Sequence, residues 1–401
     1  MRIIINECKK ILDIRIILLL CMFSILYYMT FTQIYLYPTG GQVTNTKYDI
    51  PFTAELVKEW GPKWKVKDEK QYQEKHQELE RGFAKIIKQD QELSKRGIVD
   101  YEIFNKKYEE LGQKTTLSKQ EKELGKILEN YVFYNDKTSK IFLDIQALEH
   151  IREFQGSEYG VSDKKYKELK ADGFFDGTKL YQKAIEKRVK RDYISLVHEG
   201  VFYILQEDMV TISGLIMICF FALIIPYQLK QRLRQVIPIL ATTKTGRRIY
   251  QIQLIASALV ALFVGILQMA VYGIIWHLKG LSVFWRCESW GIASNSYWCD
   301  KLSFGTYMLL YMALILLFAI ASIVIIDFIG RTIGNYMGAV AVSIPVCGVM
   351  MFLMRKIYYM LFLITNDQVL AYWELYALAT WLIVMLLFYK IRSKRWKKVD
   401  L

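Results

Sequence analysis

The residues able to do chemistry in this chain are few and poorly grouped. The four histidines, His76, His150, His198 and His277, are scattered, and neither His-Glu-x-x-His nor Cys-x-x-Cys occurs. Those spacings set two metal ligands on one side of a helix or turn, so zinc chemistry has no scaffold here. The paired carboxylates Glu109-Glu110 suit a solvated helix face, and no serine sits in a nucleophile-elbow pattern. Thr242-Thr243-Lys244-Thr245-Gly246-Arg247 has residue types that bind phosphate. It lacks the Gly-x-x-x-x-Gly-Lys-Ser/Thr spacing and the preceding strand that cradle a nucleotide. The expectation is a chain that is not an enzyme and holds no cofactor or metal of its own.

What must position these residues is a set of apolar blocks. A bilayer's hydrocarbon core is ~30 Å thick, so a helix crosses it with roughly 20 apolar residues. Charge-free or nearly charge-free blocks predict six crossings, over 14–37, 209–229, 249–278, 302–326, 332–354 and 371–389. The first block is too long for the apolar region of a signal peptide and has no small-x-small cleavage pattern, so it reads as a retained crossing. Before it, 1–13 alternates apolar and polar residues at helical spacing. That suits an amphipathic helix on the membrane surface, with a plain extension of the first crossing as the alternative.

Charge sets the orientation. Net charge is +14, yet residues 38–208 carry 31 Lys+Arg and 31 Asp+Glu. The excess lies at the N-terminus, in 230–248, in 327–331 and in the tail 390–401, which together hold 17 basic and 4 acidic residues. Basic flanks stay in the cytoplasm. Both termini and the 230–248 loop are therefore expected inside a bacterial plasma membrane, with 38–208 and the 279–301 loop outside. With the positive-inside charge set aside no basic domain remains, which excludes a nucleic-acid partner.

Residues 38–208 read as a mostly helical extracellular domain. Leu79, Phe83, Ile86 and Leu93 recur at helical spacing, as do Phe104, Tyr108 and Leu111, and Ile141, Ile145, Leu148 and Ile151. Ser118-Lys-Gln-Glu121 is a capping-box signature. From Thr178 one helix is expected to run through Tyr193 and Val197 into the second crossing. Apolar residues are sparse, so an elongated or partner-dependent domain is expected. Cys287 and Cys299 share the 279–301 loop, where they form a candidate disulfide or remain two thiols. Gly334-x-x-x-Gly338 permits close helix packing. Trp276, Trp285, Trp290, Trp298 and Trp373 suit an interfacial aromatic belt or contact with a hydrophobic substrate.

The 227–248 stretch opens with an amphipathic segment (Leu229, Leu233, Val236, Ile237), breaks near Pro238, and passes through Thr242, Thr243 and Thr245 to Arg247 and Arg248. With Glu7-x-x-Lys10 before the first crossing and six crossings in all, this resembles the permease subunits of type-2 ABC exporters. Gln228, Lys230 and Gln231 stand where members of that family often carry an acidic residue. The resemblance implies a dimeric pathway made with a second permease subunit, identical or homologous. It also implies that separate ABC ATPase subunits, which bind the ATP, dock on the 227–248 loop. Leu229, Leu233, Val236, Thr242, Thr243 and Arg247 would then carry the coupling. Arg355 and Lys356 precede an apolar stretch too short to span, so 355–370 is expected to form an outer half-helix and turn; a long crossing is the alternative. By the same resemblance Arg355, Lys356 and Glu374 are candidates for an outer gate. The competing reading is a non-transporting membrane sensor or immunity protein whose outer domain binds a ligand such as an antimicrobial peptide.

Overall fold

The computed structural model describes residues 2–32, 46–65, 68–114, 116–156, 193–197, 199–233, 249–289, 302–359 and 373–398. In chain order these form α1 (Arg2–Ile11), α2 (Ile14–Phe31), α3 (Thr46–Trp60), β1 (Lys63–Lys65), α4 (Glu69–Ile87), α5 (Gln91–Lys95), α6 (Tyr101–Gln113), α7 (Lys119–Glu129), α8 (Asp136–Gly156) and β2 (Tyr193–Ser195). There follow α9 (Glu199–Leu233), α10 (Ile249–Leu278), α11 (Phe304–Thr332), α12 (Tyr336–Tyr359) and α13 (Trp373–Lys398). Among the described residues, α2 and α9–α13 make six helices long and apolar enough to cross a bilayer. The chain is a mainly helical, multi-pass membrane protein.

α1 and α2 are separate helices, because the Asp13 carboxylate accepts the Arg15 amide at 3.1 Å and caps α2. α1 lies against α10, burying Glu7 and Ile11 and leaving Ile3 and Ile5 exposed. α9 is the axis of the bundle. Its 35 residues would rise ~52 Å, well beyond the 209–229 span read from hydropathy. It packs against α1, α2, α10, α11 and α12. Lipid tails are as apolar as leucine, so close packing and polar contacts hold such helices together. Gly330 of α11 illustrates this: a Cβ there would stand 2.8 Å from the Gln228 Cβ of α9.

Several expectations are corrected. α11 continues past 326 to Thr332, because Asp327 and Arg331 pair within the helix and are buried rather than ending it. Residues 355–359 do not start a half-helix. They are the last turn of α12, with Met354, Ile357 and Tyr358 buried on one face and Arg355 and Lys356 exposed. Gly334 lies in the turn between α11 and α12, so the Gly-x-x-x-Gly spacing marks no continuous helix face. Trp276 is not part of a belt: it is fully buried and stacks on Phe304.

Between α2 and α9 the chain inserts a folded domain. α4, α6, α7 and α8 close on a core in which Phe83, Phe104 and Phe142 meet ring to ring, so the domain has a hydrophobic centre of its own despite its high charge. Ser118 and Glu121 form the expected capping box at α7. No helix runs through Tyr193. Residues 193–195 are a strand antiparallel to 63–65, with Ile194 opposite the buried Trp64. Lys63-Trp64-Lys65 alternates exposed, buried, exposed, the two-residue period of a strand rather than the helical one. On the other side of α8, Phe52, Leu56, Trp64, Tyr72 and Leu148 join the core of the bundle itself. Asp144 of α8 is also buried there, and its Oδ1 has no hydrogen-bond partner. Burial pushes its pKa up to about 7 against the pull of Lys140, with Glu55 of α3 adding to the rise and Lys75 of α4 opposing it.

Candidate functional site

Four elements meet at one end of the bundle: α1, the C-terminal ends of α9 and α11, and the N-terminal end of α10. Each contributes polar side chains that hydropathy alone would have placed in water or at the headgroups. Glu7 of α1 is 3% exposed and its carboxylate accepts the Tyr227 hydroxyl of α9. Gln253 of α10 reaches the same carboxylate at 3.5 Å through Nε2, and its Oε1 accepts Arg331 of α11 at 2.8 Å. Arg331 donates through Nε to Asp327 at 2.8 Å, one helical turn back. Asp327, fully buried, also accepts Gln228 Nε2 at 2.5 Å. Gln228 follows Tyr227 in the chain, so the six side chains form a closed circuit across four helices.

The charges nearly balance. Two carboxylates and one guanidinium lie inside, and Lys10, half exposed, meets Glu7 at 2.5 Å from the rim. Arg331 also lies over the Tyr250 ring at 5.1 Å. Arg232, one turn beyond Gln228, donates to the main-chain oxygens of Arg331 and Thr332, closing the C-terminal end of α11. A buried pair of this kind gains little net stability but is costly to break, because the remaining charge is stranded. Such a circuit ties the relative positions of four helix ends together. The segment 234–248 leaves the last turn of α9 and returns at the first turn of α10, beside it.

The opposite end is fastened differently. The inserted domain sits there, held by Glu288 in the segment after α10. Its carboxylate accepts Lys63 at 2.7 Å and the Tyr193 hydroxyl at 2.9 Å, while its main-chain oxygen accepts Ser195 at 2.6 Å. The bond to Glu288 holds the Lys63 ammonium above its usual pKa. Next to it the free Cys287 thiol is buried and donates to the Leu196 carbonyl at 3.5 Å, and burial pushes its pKa up to about 12. Nearby, Asp208 of α9 is buried in the helix and accepts the Tyr272 hydroxyl of α10 at 3.0 Å.

The residues expected to carry coupling fare unevenly. Leu229 is 1% exposed inside the bundle, so it is unavailable as part of a docking face, whereas Leu233, the last residue of α9, is open. Val236, Thr242, Thr243 and Arg247 lie outside the described residues, as does Cys299. Arg355 and Lys356 are exposed on α12, Lys356 lying over the Phe352 ring at 5.9 Å, and Glu374 falls in the first turn of α13. Among the described residues no cluster of His, Cys, Asp and Glu could hold a metal ion. The sequence pattern set Asp327 at a helix edge, named Gln228 only as standing in place of a family carboxylate and Arg331 only as inner-side charge, and gave Gln253 no role. The available signal was a glutamine inside an otherwise apolar run and an Asp-x-x-x-Arg pair at helical spacing.

Comparison with known proteins returned no matching family model, no matching curated protein and no matching solved structure. The fold defines the class: a multi-pass membrane protein with, among the described residues, six membrane-length helices and a helical unit with its own apolar core between the first and second of them.

Proposed function

We propose that this chain is the membrane-spanning subunit of an ATP-driven exporter of the ABC-2 type. The pathway would form between two such subunits in the plasma membrane, identical or homologous, and separate ATPase subunits would dock beside 234–248. In this reading the end bearing the charged circuit faces the cytoplasm, as the basic residues of α1, 230–248 and the tail favour, and the inserted domain lies outside.

The observation that carries the reading is the circuit linking Glu7, Tyr227, Gln228, Gln253, Asp327 and Arg331. A force applied to 234–248 by a closing ATPase would act on the ends of α9 and α10 directly. Through the circuit it would also move α1 and α11, so four elements shift as a unit between two arrangements. A membrane anchor for a sensing domain has no need of such a joint.

The test is purification of the tagged protein from its native membrane in mild detergent, with partner identification and an ATPase assay. A co-purifying subunit bearing a nucleotide-binding loop is expected, lost when Leu233→Asp and Val236→Asp are combined. Purification with no ATPase bound and no ATP turnover would overturn the reading. Weight would then move to a non-transporting sensor or immunity protein acting through the inserted domain.

A further inference from the structure

A groove of about 460 Å³ runs between α2 and α10, floored by Cys219 and Leu223 of α9. The two walls start from the same end of the bundle and run parallel. Ile17 to Met29 on one and Phe263 to Ile275 on the other are 13 residues each, a rise of ~18 Å. That slightly exceeds the ~15 Å depth of one bilayer leaflet. Leu18, Met22, Phe263 and Leu267 on or beside the rims are among the exposed apolar residues, so the groove opens sideways onto the face that meets lipid.

Its chemistry selects the occupant. The polar groups in its wall are bonded to one another: the Tyr28 hydroxyl donates to the Gln268 carbonyl at 2.7 Å, and Gln268 Nε2 donates to Ser24 Oγ at 2.9 Å. Water needs two to four polar partners to stay in a cavity, and the remaining lining is aliphatic, aromatic, thiol or thioether. At the α1 end the groove reaches Leu12, whose amide bonds to the Cys8 carbonyl and so continues the α1 turn. Lys9, one turn earlier on that face, is exposed. A lysine thus lies within one helical turn of the groove's end, where α1 would lie at the headgroup level and its long side chain could reach a phosphate.

We propose that this groove is a resident phospholipid site, with one acyl chain lying between α2 and α10 and the phosphate of the headgroup beside Lys9. The site is independent of whether the chain works with an ATPase. A held chain fills a void that would otherwise leave α2, which buries little of its own surface, loosely seated on α9 and α10.

The test is lipid counting by native mass spectrometry on the full-length protein after detergent exchange. About one phospholipid per chain is expected to resist exchange. Filling either wall, by Val264→Trp or by Cys21→Trp, should lower that retention about tenfold. Leu386→Trp, an exposed position on α13, which contributes no lining residue to the groove, should leave it unchanged. Thermal unfolding identifies any variant that does not fold, and the wild-type count stands alone if one fails. No retained lipid on the wild-type protein would overturn the proposal. So would equal retention in the groove-filling and control variants, or retention only in a dimer that closes the groove with a second copy.

Discussion

At one end of the bundle, Glu7, Asp327 and Arg331 are almost wholly shielded, and each is answered by a side chain from another helix or another turn. At the other end, Glu288 holds Lys63 and Tyr193 where the lysine is 42% exposed and the carboxylate 19%. The same kinds of bond therefore work against different alternatives. A broken bond at the first end leaves a charge inside low-dielectric packing, costing several kcal/mol. At the second end water replaces the lost partner, and the cost is ~0–1 kcal/mol. The shielded joint ties four helix ends together, and the wet one is the replaceable polar part of a contact whose centre is the apolar packing of Phe52, Leu56 and Trp64 against the bundle.

Arg331→Ala strands Asp327 and is expected to cost about 3–5 kcal/mol, read as thermal unfolding of the detergent-solubilised protein. Adding Asp327→Asn should recover much of that loss in a double-mutant cycle. A cost under about 1 kcal/mol for the single variant would place the joint in the same class as Glu288 and remove the contrast.

pH should divide the two regions next. Asp144 in the inserted domain has its pKa raised to about 7, so its native state keeps a proton that the unfolded chain releases near pH 4. Its contribution to stability is complete below about pH 4 and is lost as pH rises to about 7, by at most about 1.4 kcal/mol per unit. Asp144→Asn should flatten that slope and stabilise the domain at pH 8, seen as hydrogen exchange in α3, α4 and α8. An unchanged slope in the variant would assign the pH response to other groups.

The smallest effect belongs to the clasp. Glu288→Gln is expected to cost no more than about 1 kcal/mol, but to raise hydrogen exchange in Lys63–Lys65 and Tyr193–Ser195 while the bundle melts as before. Loss of bundle stability in that variant would mean that domain and helices unfold as one unit.

Elements governed by local rules are readable from the chain. The apolar runs mark the crossings, and the helical spacing of Phe83, Phe104, Leu124, Leu128 and Ile145 marks buried faces of the inserted domain. Ser118 and Glu121 mark a helix start. Boundaries fail where a charge is satisfied inside the fold. Asp208 and Asp327 look like the limits of crossings, yet both are buried within helices by partners on or across the bundle. The same holds for Leu229, read as part of the amphipathic segment that would dock an ATPase and found in the core.

Membrane class, the six membrane-length helices among the described residues and the helical character of the inserted domain thus follow from the order of residues, because the bilayer imposes a length and an apolar composition that any single segment must meet alone. The charged circuit, the strand pair joining 63–65 to 193–195 and the groove beside α2 do not. Glu7 finds Tyr227 across 220 positions and Gln228 finds Asp327 across 99. No local preference links such residues. They meet only because α9 packs at the centre of the other helices, and packing at that distance is decided by how whole surfaces fit.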